Sequence, residues 1–266
     1  MSAVIENPKE PILLNQIENG IARITLNRPA QYNALSKQLL QELQETLDVI
    51  ASDDSVSVVI LAANGKAFCA GHDLKEMRSS EDREFHQALF QQCSGVMQTI
   101  AGMAQPVIAQ VNGIATAAGC QLVAQCDLAV ASDVSRFAVS GINVGLFCST
   151  PAVALSRNMH RKHAMKMLLT GDFIDAETAC QHGLINTITS VDDVAEVTQA
   201  LAEKIAAKSP LAIKMGKEMF YQQLNMDLDK AYDFAGNTMA CNMDSEDARE
   251  GIDAFIGKRK PTWRGR

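Results

Sequence analysis

The sequence has no C-x-x-C pair, no G-x-S-x-G elbow and no G-x-G-x-x-G fingerprint. Its seven cysteines are scattered from Cys69 to Cys241, which argues against a thiolate metal site or a disulfide framework and for reduced thiols. Without the elbow a serine hydrolase lacks its nucleophile turn, and without the fingerprint a dinucleotide lacks its phosphate loop. His86, His160, His163 and His182 do not follow a metal-ligand spacing, so no metal site is expected. An excess of positive charge is missing too. The formal net charge of -7 argues against a nucleic-acid surface, which needs a stripe of Lys and Arg. No stretch is apolar for long enough to cross a bilayer, and the opening MSAVIENPKE has neither the basic start nor the apolar run of a secretory leader. A cytoplasmic protein that does not engage membranes is the expectation.

The 266 residues, 47% of them hydrophobic, allow one large core or a core with a helical appendage, and no Ser/Pro-rich run offers a linker. Ile12 to Leu26 reads as a hairpin turning at Asn19-Gly20. Leu39, Leu40, Leu43, Leu47 and Ile50 then fall on one helical face, with Ser36 placed to cap it. Val56 to Ala62 reads as a buried strand closed by Asn64-Gly65. A second round follows: helix from Phe85 to Met103, strand from Val107 to Val111, helix from Gly119 to Gln125, strand from Leu128 to Ala131. Strands alternating with helices predict an α/β fold. After Val191 only helical patterns remain, with Val194, Val197, Leu201 and Ile205 on one stripe behind Ser190-x-x-Asp193 and further segments at 210–223, 227–241 and 245–256. The expected division is a core unit over 1–190 and a helical region over 191–266. On charge alone, the acid-free tail from Ile256 to Arg266 reads as a solvated basic end.

Two segments carry the chemistry. Pro106 to Gln121 runs from an apolar strand through a turn into small residues that open a helix, where unpaired N–H groups meet the positive end of the helix dipole. Lys66-Ala67-Phe68-Cys69-Ala70-Gly71-His72-Asp73-Leu74-Lys75-Glu76-Met77 is the other. Together they closely resemble the enoyl-CoA hydratase/isomerase family, the crotonase superfamily, and the resemblance extends from about Ile12 to Pro261. It implies a spiral of repeated strand-strand-helix units and a helical C-terminal trimerisation region, within homotrimers that commonly pair into homohexamers. It implies an acyl-CoA thioester as substrate, with CoA arriving as part of it and no permanently bound cofactor. By position in the family motifs, the backbone amides of His72 and Ala118 form an oxyanion hole, with Gly71 and Gly119 giving each turn its freedom.

The resemblance also names CoA contacts. Backbone near Ala70, His72 and Leu74 matches the adenine-contacting segment, with Lys75 near the phosphates. Asn27 to Leu35 matches a CoA loop in which Ala30 replaces a frequent lysine, so Arg28 or Lys75 would supply the charge. Phe255 and Lys258 resemble residues that reach CoA in a neighbouring subunit, which lifts the tail above a solvated reading. Asp73 reads as a cap for its turn.

Gln121 and Gly141 stand where the family's hydratases carry two catalytic glutamates. A glutamine cannot take a proton near neutral pH and glycine has no side chain, so ordinary two-glutamate hydration is not available. Ser149 aligns where some isomerases and dehalogenases have an aspartate. Gly-His-Asp at 71–73 resembles the methylmalonyl-CoA decarboxylase branch, whose histidine addresses the substrate carboxylate, though Cys148 stands near that branch's tyrosine. The leading expectation is a protein that binds an acyl-CoA thioester and stabilises its enolate. Decarboxylation of a malonyl-type thioester and non-catalytic acyl-CoA binding are the alternatives. Restoring both glutamates is expected to introduce hydration if the amides are in place.

Overall fold

The structure is a computed structural model that describes residues 10–266. The first nine residues, which include most of the opening read for a leader and the start of the 1–190 unit, lie outside the described residues. The chain begins with a hairpin of β1 (Leu13–Glu18) and β2 (Ile21–Leu26), paired antiparallel. Asn19 and Gly20 both take positive φ, 52° and 76°, as a two-residue hairpin turn requires. Helix α1 (Lys37–Ala51) follows, and the Ser36 hydroxyl accepts the Leu39 N–H as its cap. All five apolar stripe residues of α1 are buried.

From there the chain winds in rounds. Strands β3 (Val58–Ala63) and β4 (Ala67–Cys69) lead to α2 (Leu74–Arg78) and α3 (Arg83–Gly102). Strands β5 (Val107–Val111) and β6 (Ile114–Thr116) lead to α4 (Ala118–Gln125). Strands β7 (Leu128–Ser132) and β8 (Arg136–Ala138) lead through a 3-10 turn at Ser140–Val144 to α5 (Ser149–Asn158) and α6 (Arg161–Thr170). In each round the first strand joins a six-stranded sheet, ordered β1-β2-β3-β5-β7-β10, and the second joins a four-stranded sheet, ordered β4-β6-β8-β9. Strand β9 (Ile174–Asp175), α7 (Ala176–Gln181) and β10 (Thr187–Thr189) complete the set. This is the expected spiral, with parallel pairing between rounds.

The inner strands β3, β5 and β7 of the larger sheet are buried on both faces, so β3 reads as a continuous apolar run. Val59 and Leu61 face the main core, while Val58 and Ile60 face a second cluster under α8 (Val194–Ala206). The boundary expected at 190/191 falls just before α8, which lies on the sheet and contributes Val194 and Ala202 to that cluster. Beyond it are α9 (Pro210–Gln223), α10 (Leu228–Met243) and α11 (Glu246–Ile256).

Polar locks hold α9 to the spiral. Lys217 Nζ pairs with Asp127 Oδ2 at 2.7 Å and also donates to the carbonyls of Ile100 and Gln105, while the Tyr221 hydroxyl donates to Asp127 Oδ1 at 2.9 Å. Burial pushes the Lys217 pKa down, with Asp127 pulling it back. The basic side chains of the tail are exposed, as its charge suggested, but its backbone and Trp263 are anchored to the helices. Asp247, 2% exposed, accepts the Ser209 hydroxyl and the N–H groups of Arg264 and Gly265. Trp263 Nε1 donates to the Ala207 carbonyl, and Glu250 takes the Arg259 guanidinium in a bidentate pair. Of the tail's cations, Arg259 is matched by Glu250 and Arg264 and Arg266 by Glu246, while Asp247 and the Ala207 carbonyl hold neutral N–H groups.

Candidate active site

Two turns meet at the centre of the spiral. After β4 the chain turns at Gly71, whose φ of +89° favours glycine, and His72 then lies beside Leu35 in an isolated bridge. Leu35 N–H donates to the Gly71 carbonyl at 2.8 Å, and Asp73 N–H donates to the Leu35 carbonyl at 3.1 Å. Asp73 caps α2 as expected, accepting the N–H groups of Lys75 and Glu76. The second turn is Ala117, a non-glycine residue held at φ 52° and ψ -121°, where a Cβ is strained. Its N–H donates to the Ala138 carbonyl and its own carbonyl accepts Gln121 N–H, so both sides of the strained residue are anchored.

The approach of the turns is set by glycines. A Cβ on Gly71 would lie 3.1 Å from the Ala118 nitrogen, and one on Gly119 would lie 2.1 Å from the Cys69 carbonyl oxygen. Among the described residues, neither the His72 nor the Ala118 N–H has an acceptor within the protein. Both residues line one cavity of about 380 Å³. Two free donors in an apolar hollow, one of them opening a helix, suit an oxygen that gains negative charge.

Of the residues singled out in the sequence, this cavity brings together Ala70, His72, Leu74, Ala118, Gly141, Cys148 and Ser149. Gln121 lies behind the wall, 4% exposed, with Oε1 buried and unpartnered. The His72 ring stands edge-on to Phe90 at 5.3 Å, its Nε2 is also buried without a partner, and burial pushes its pKa down to about 4. It is therefore neutral near pH 7. No Asp, Glu, Lys or Arg lines the cavity among the described residues.

Position 141 has no room for an acid. Gly141 N–H donates to Cys148 Sγ at 3.3 Å, and a Cβ on Gly141 would lie 2.7 Å from that sulfur and 2.7 Å from the Leu146 carbonyl oxygen. The expectation that two restored glutamates would hydrate gains a condition: a side chain at 141 must first displace Cys148 and the Leu146 carbonyl. Burial raises the Cys148 pKa, with the Gly141 N–H pulling it down. The Ser149 hydroxyl donates to the Phe147 carbonyl at 3.3 Å.

The remaining residues sit outside the cavity. Arg28 is not a free cation: its guanidinium donates to the Ala34 carbonyl and pairs with Asp73 at 3.4 Å, tying the 27–35 loop to the His72 turn. Lys75 is exposed on α2. Phe255, the last residue but one of α11, is 85% exposed, and Lys258 beyond the helix takes φ 50°. Sequence reasoning missed the apolar wall of Met77, Phe90, Leu146 and Phe147. The one available signal was the run Val144-Gly145-Leu146-Phe147, too apolar for an ordinary solvent loop.

Comparison with known proteins follows the same lines. The family model described as enoyl-CoA hydratase/isomerase matches residues 16–266. A crystal structure of a Mycobacterium smegmatis enoyl-CoA hydratase superposes with a TM-score of 0.94 at 54% identity, covering 96% of this chain and 99% of that one. The Homo sapiens protein named enoyl-CoA hydratase domain-containing protein 3, mitochondrial, is 46% identical over 97% of this chain and 85% of its own. The 2,3-dehydroadipyl-CoA hydratase of Escherichia coli (strain K12) is 33% identical over the full length of both. The cytoplasmic expectation is corrected by these relatives. The human protein is mitochondrial by name, and the opening residues, read only for a secretory leader, never excluded that compartment.

Proposed function

The chain belongs to the enoyl-CoA hydratase/isomerase family, and from that premise we propose that it binds an acyl-CoA thioester and stabilises the enolate of its acyl group. The thioester oxygen would take the N–H groups of His72 and Ala118. The observation that carries this reading is the pair of acceptor-free amides lining one apolar cavity. Each such donor contributes roughly 3–4 kcal/mol where charge develops on the oxygen. Standard two-carboxylate hydration has no support in the cavity, since Gln121 is neutral and walled off and the space beside Gly141 is filled.

Lys75 is the cation we assign to the CoA phosphates, because Arg28 is already paired with Asp73. Phe255 and Lys258, exposed at the end of α11, would reach the CoA of a neighbouring subunit. The exposed apolar residues Leu224, Leu228, Tyr232 and Met239 fit the packing surface of a homotrimer or of paired trimers.

Carbonyl polarisation tests the reading. Crotonyl-CoA labelled with carbon-13 at the carbonyl should show its stretch moved to lower frequency on binding, and an unshifted stretch in the bound thioester overturns the oxyanion assignment. Product analysis in the same samples separates the finer readings. Non-catalytic binding is the second reading, favoured by the acid-free lining.

A further inference from the structure

We infer that the acyl end of this cavity selects an uncharged hydrocarbon chain longer than butyryl and rejects a chain of equal length ending in a carboxylate, with Leu146, Phe147 and His72 as the discriminating residues. This rests on the thioester reading and names the substrate class within it. Beyond the amides the surface is apolar: Leu74, Met77, Phe90, Leu146 and Phe147 line it. Of the hydroxyls that line it, Ser140 is paired with Thr116 at 2.8 Å and Ser149 with the Phe147 carbonyl, and that of Thr150 carries no charge to offset a carboxylate. A carboxylate placed there would find no cation, and removing it from water without one is strongly unfavourable.

His72 completes the bias. It is the one lining side chain able to become positive, and its ring is packed against Phe90 with a pKa near 4, so it adds no cation at neutral pH. The rim extends the apolar surface outward. Val144, Leu146 and Phe147 are 61%, 48% and 43% exposed around Gly145, whose φ is +81°. Exposed apolar residues need no explanation singly, but these three are continuous with the cavity wall. The cavity of about 380 Å³ opens at this rim, which leaves a chain longer than butyryl an apolar path outward.

Titration calorimetry with free CoA, butyryl-CoA, octanoyl-CoA and suberyl-CoA decides the matter. Octanoyl-CoA should bind at least about 10-fold tighter than butyryl-CoA, since each buried methylene tightens binding roughly 3- to 4-fold. Suberyl-CoA, equal in length but ending in a carboxylate, should lose that gain. Leu146→Lys should narrow the octanoyl-to-suberyl ratio by about 10-fold or more; Phe147→Lys on the same exposed rim serves if the first variant does not melt cooperatively. Equal binding of octanoyl- and suberyl-CoA, or no gain over butyryl-CoA, overturns the inference while leaving the thioester reading intact. Failure of every thioester to bind the folded protein overturns both.

Discussion

Every residue of α4 from Ala118 to Ala124 is buried, whereas α9 and α10 bury none of theirs and turn Leu224, Leu228, Tyr232 and Met239 outward. Both regions are helical, and the difference lies in what surrounds them. Helix α4 is enclosed by β4, β6 and α5, so its sequence is dominated by small residues that let backbones approach. Helices α9 and α10 pack mainly on each other, and α9 reaches the spiral through a few buried polar links. The enclosed region can hold two amides in fixed relation. The open region offers area to another chain and needs no such accuracy.

The sharpest way to break this contrast is Gly119→Ala. The added Cβ would meet the Cys69 carbonyl oxygen at 2.1 Å, backbone against backbone, with no flexible side chain to give way. A loss of more than about 5 kcal/mol is expected, which removes most of the stability of a typical domain. Circular dichroism should show no cooperative melt, and a folded variant melting near wild type would mean the turns are not tightly opposed.

Asp127→Ala comes next and acts on the open region. It leaves Lys217 buried without its carboxylate and should cost about 3–5 kcal/mol, read from the urea midpoint. Adding Lys217→Met should recover much of that loss. An equal loss in single and double variants would show that packing, rather than the ion pair, holds α9.

His72 probes the enclosed region by pH. Its folded pKa near 4 lies below the ordinary 6.5, so the unfolded chain takes up a proton first as pH falls. The contribution is complete above pH 6.5 and is lost between 6.5 and 4, about 2 kcal/mol of it between pH 7 and 5. His72→Gln should flatten this part of the stability profile by that amount, and an unchanged profile would place the imidazole in contact with water.

Local chemistry explains what could be read in advance. The α1 stripe and Ser36 cap, the Asn19-Gly20 turn and the C-terminal helices were legible because each depends on neighbours a few residues apart. Strands β4, β6 and β8 were not, since three residues are too few to show a period of two. The two amide turns were legible only through the family resemblance, since each segment alone reads as an ordinary strand-to-helix turn. The closure of position 141 was not: it depends on how a 3-10 turn folds Leu146 and Cys148 back over the glycine. Lys217 and Asp127, 90 residues apart, and Arg28 with Asp73, 45 apart, left no local trace of their pairing.

The smallest expected effect has the opposite sign and tests the openness of the C-terminal helices directly. Gly216 in α9 and Gly236 in α10 have no atom within 4 Å of an added Cβ, unlike Gly119 in α4. Neither has a positive φ, so alanine takes the same backbone without strain. Replacing helical glycine by alanine restricts the unfolded chain and should stabilise by about 0.5–1 kcal/mol at each position. The two gains should add, because the sites share no partner. If Gly236→Ala instead destabilises in a concentration-dependent way, a second chain lies against that face of α10, and the glycine is there to admit it.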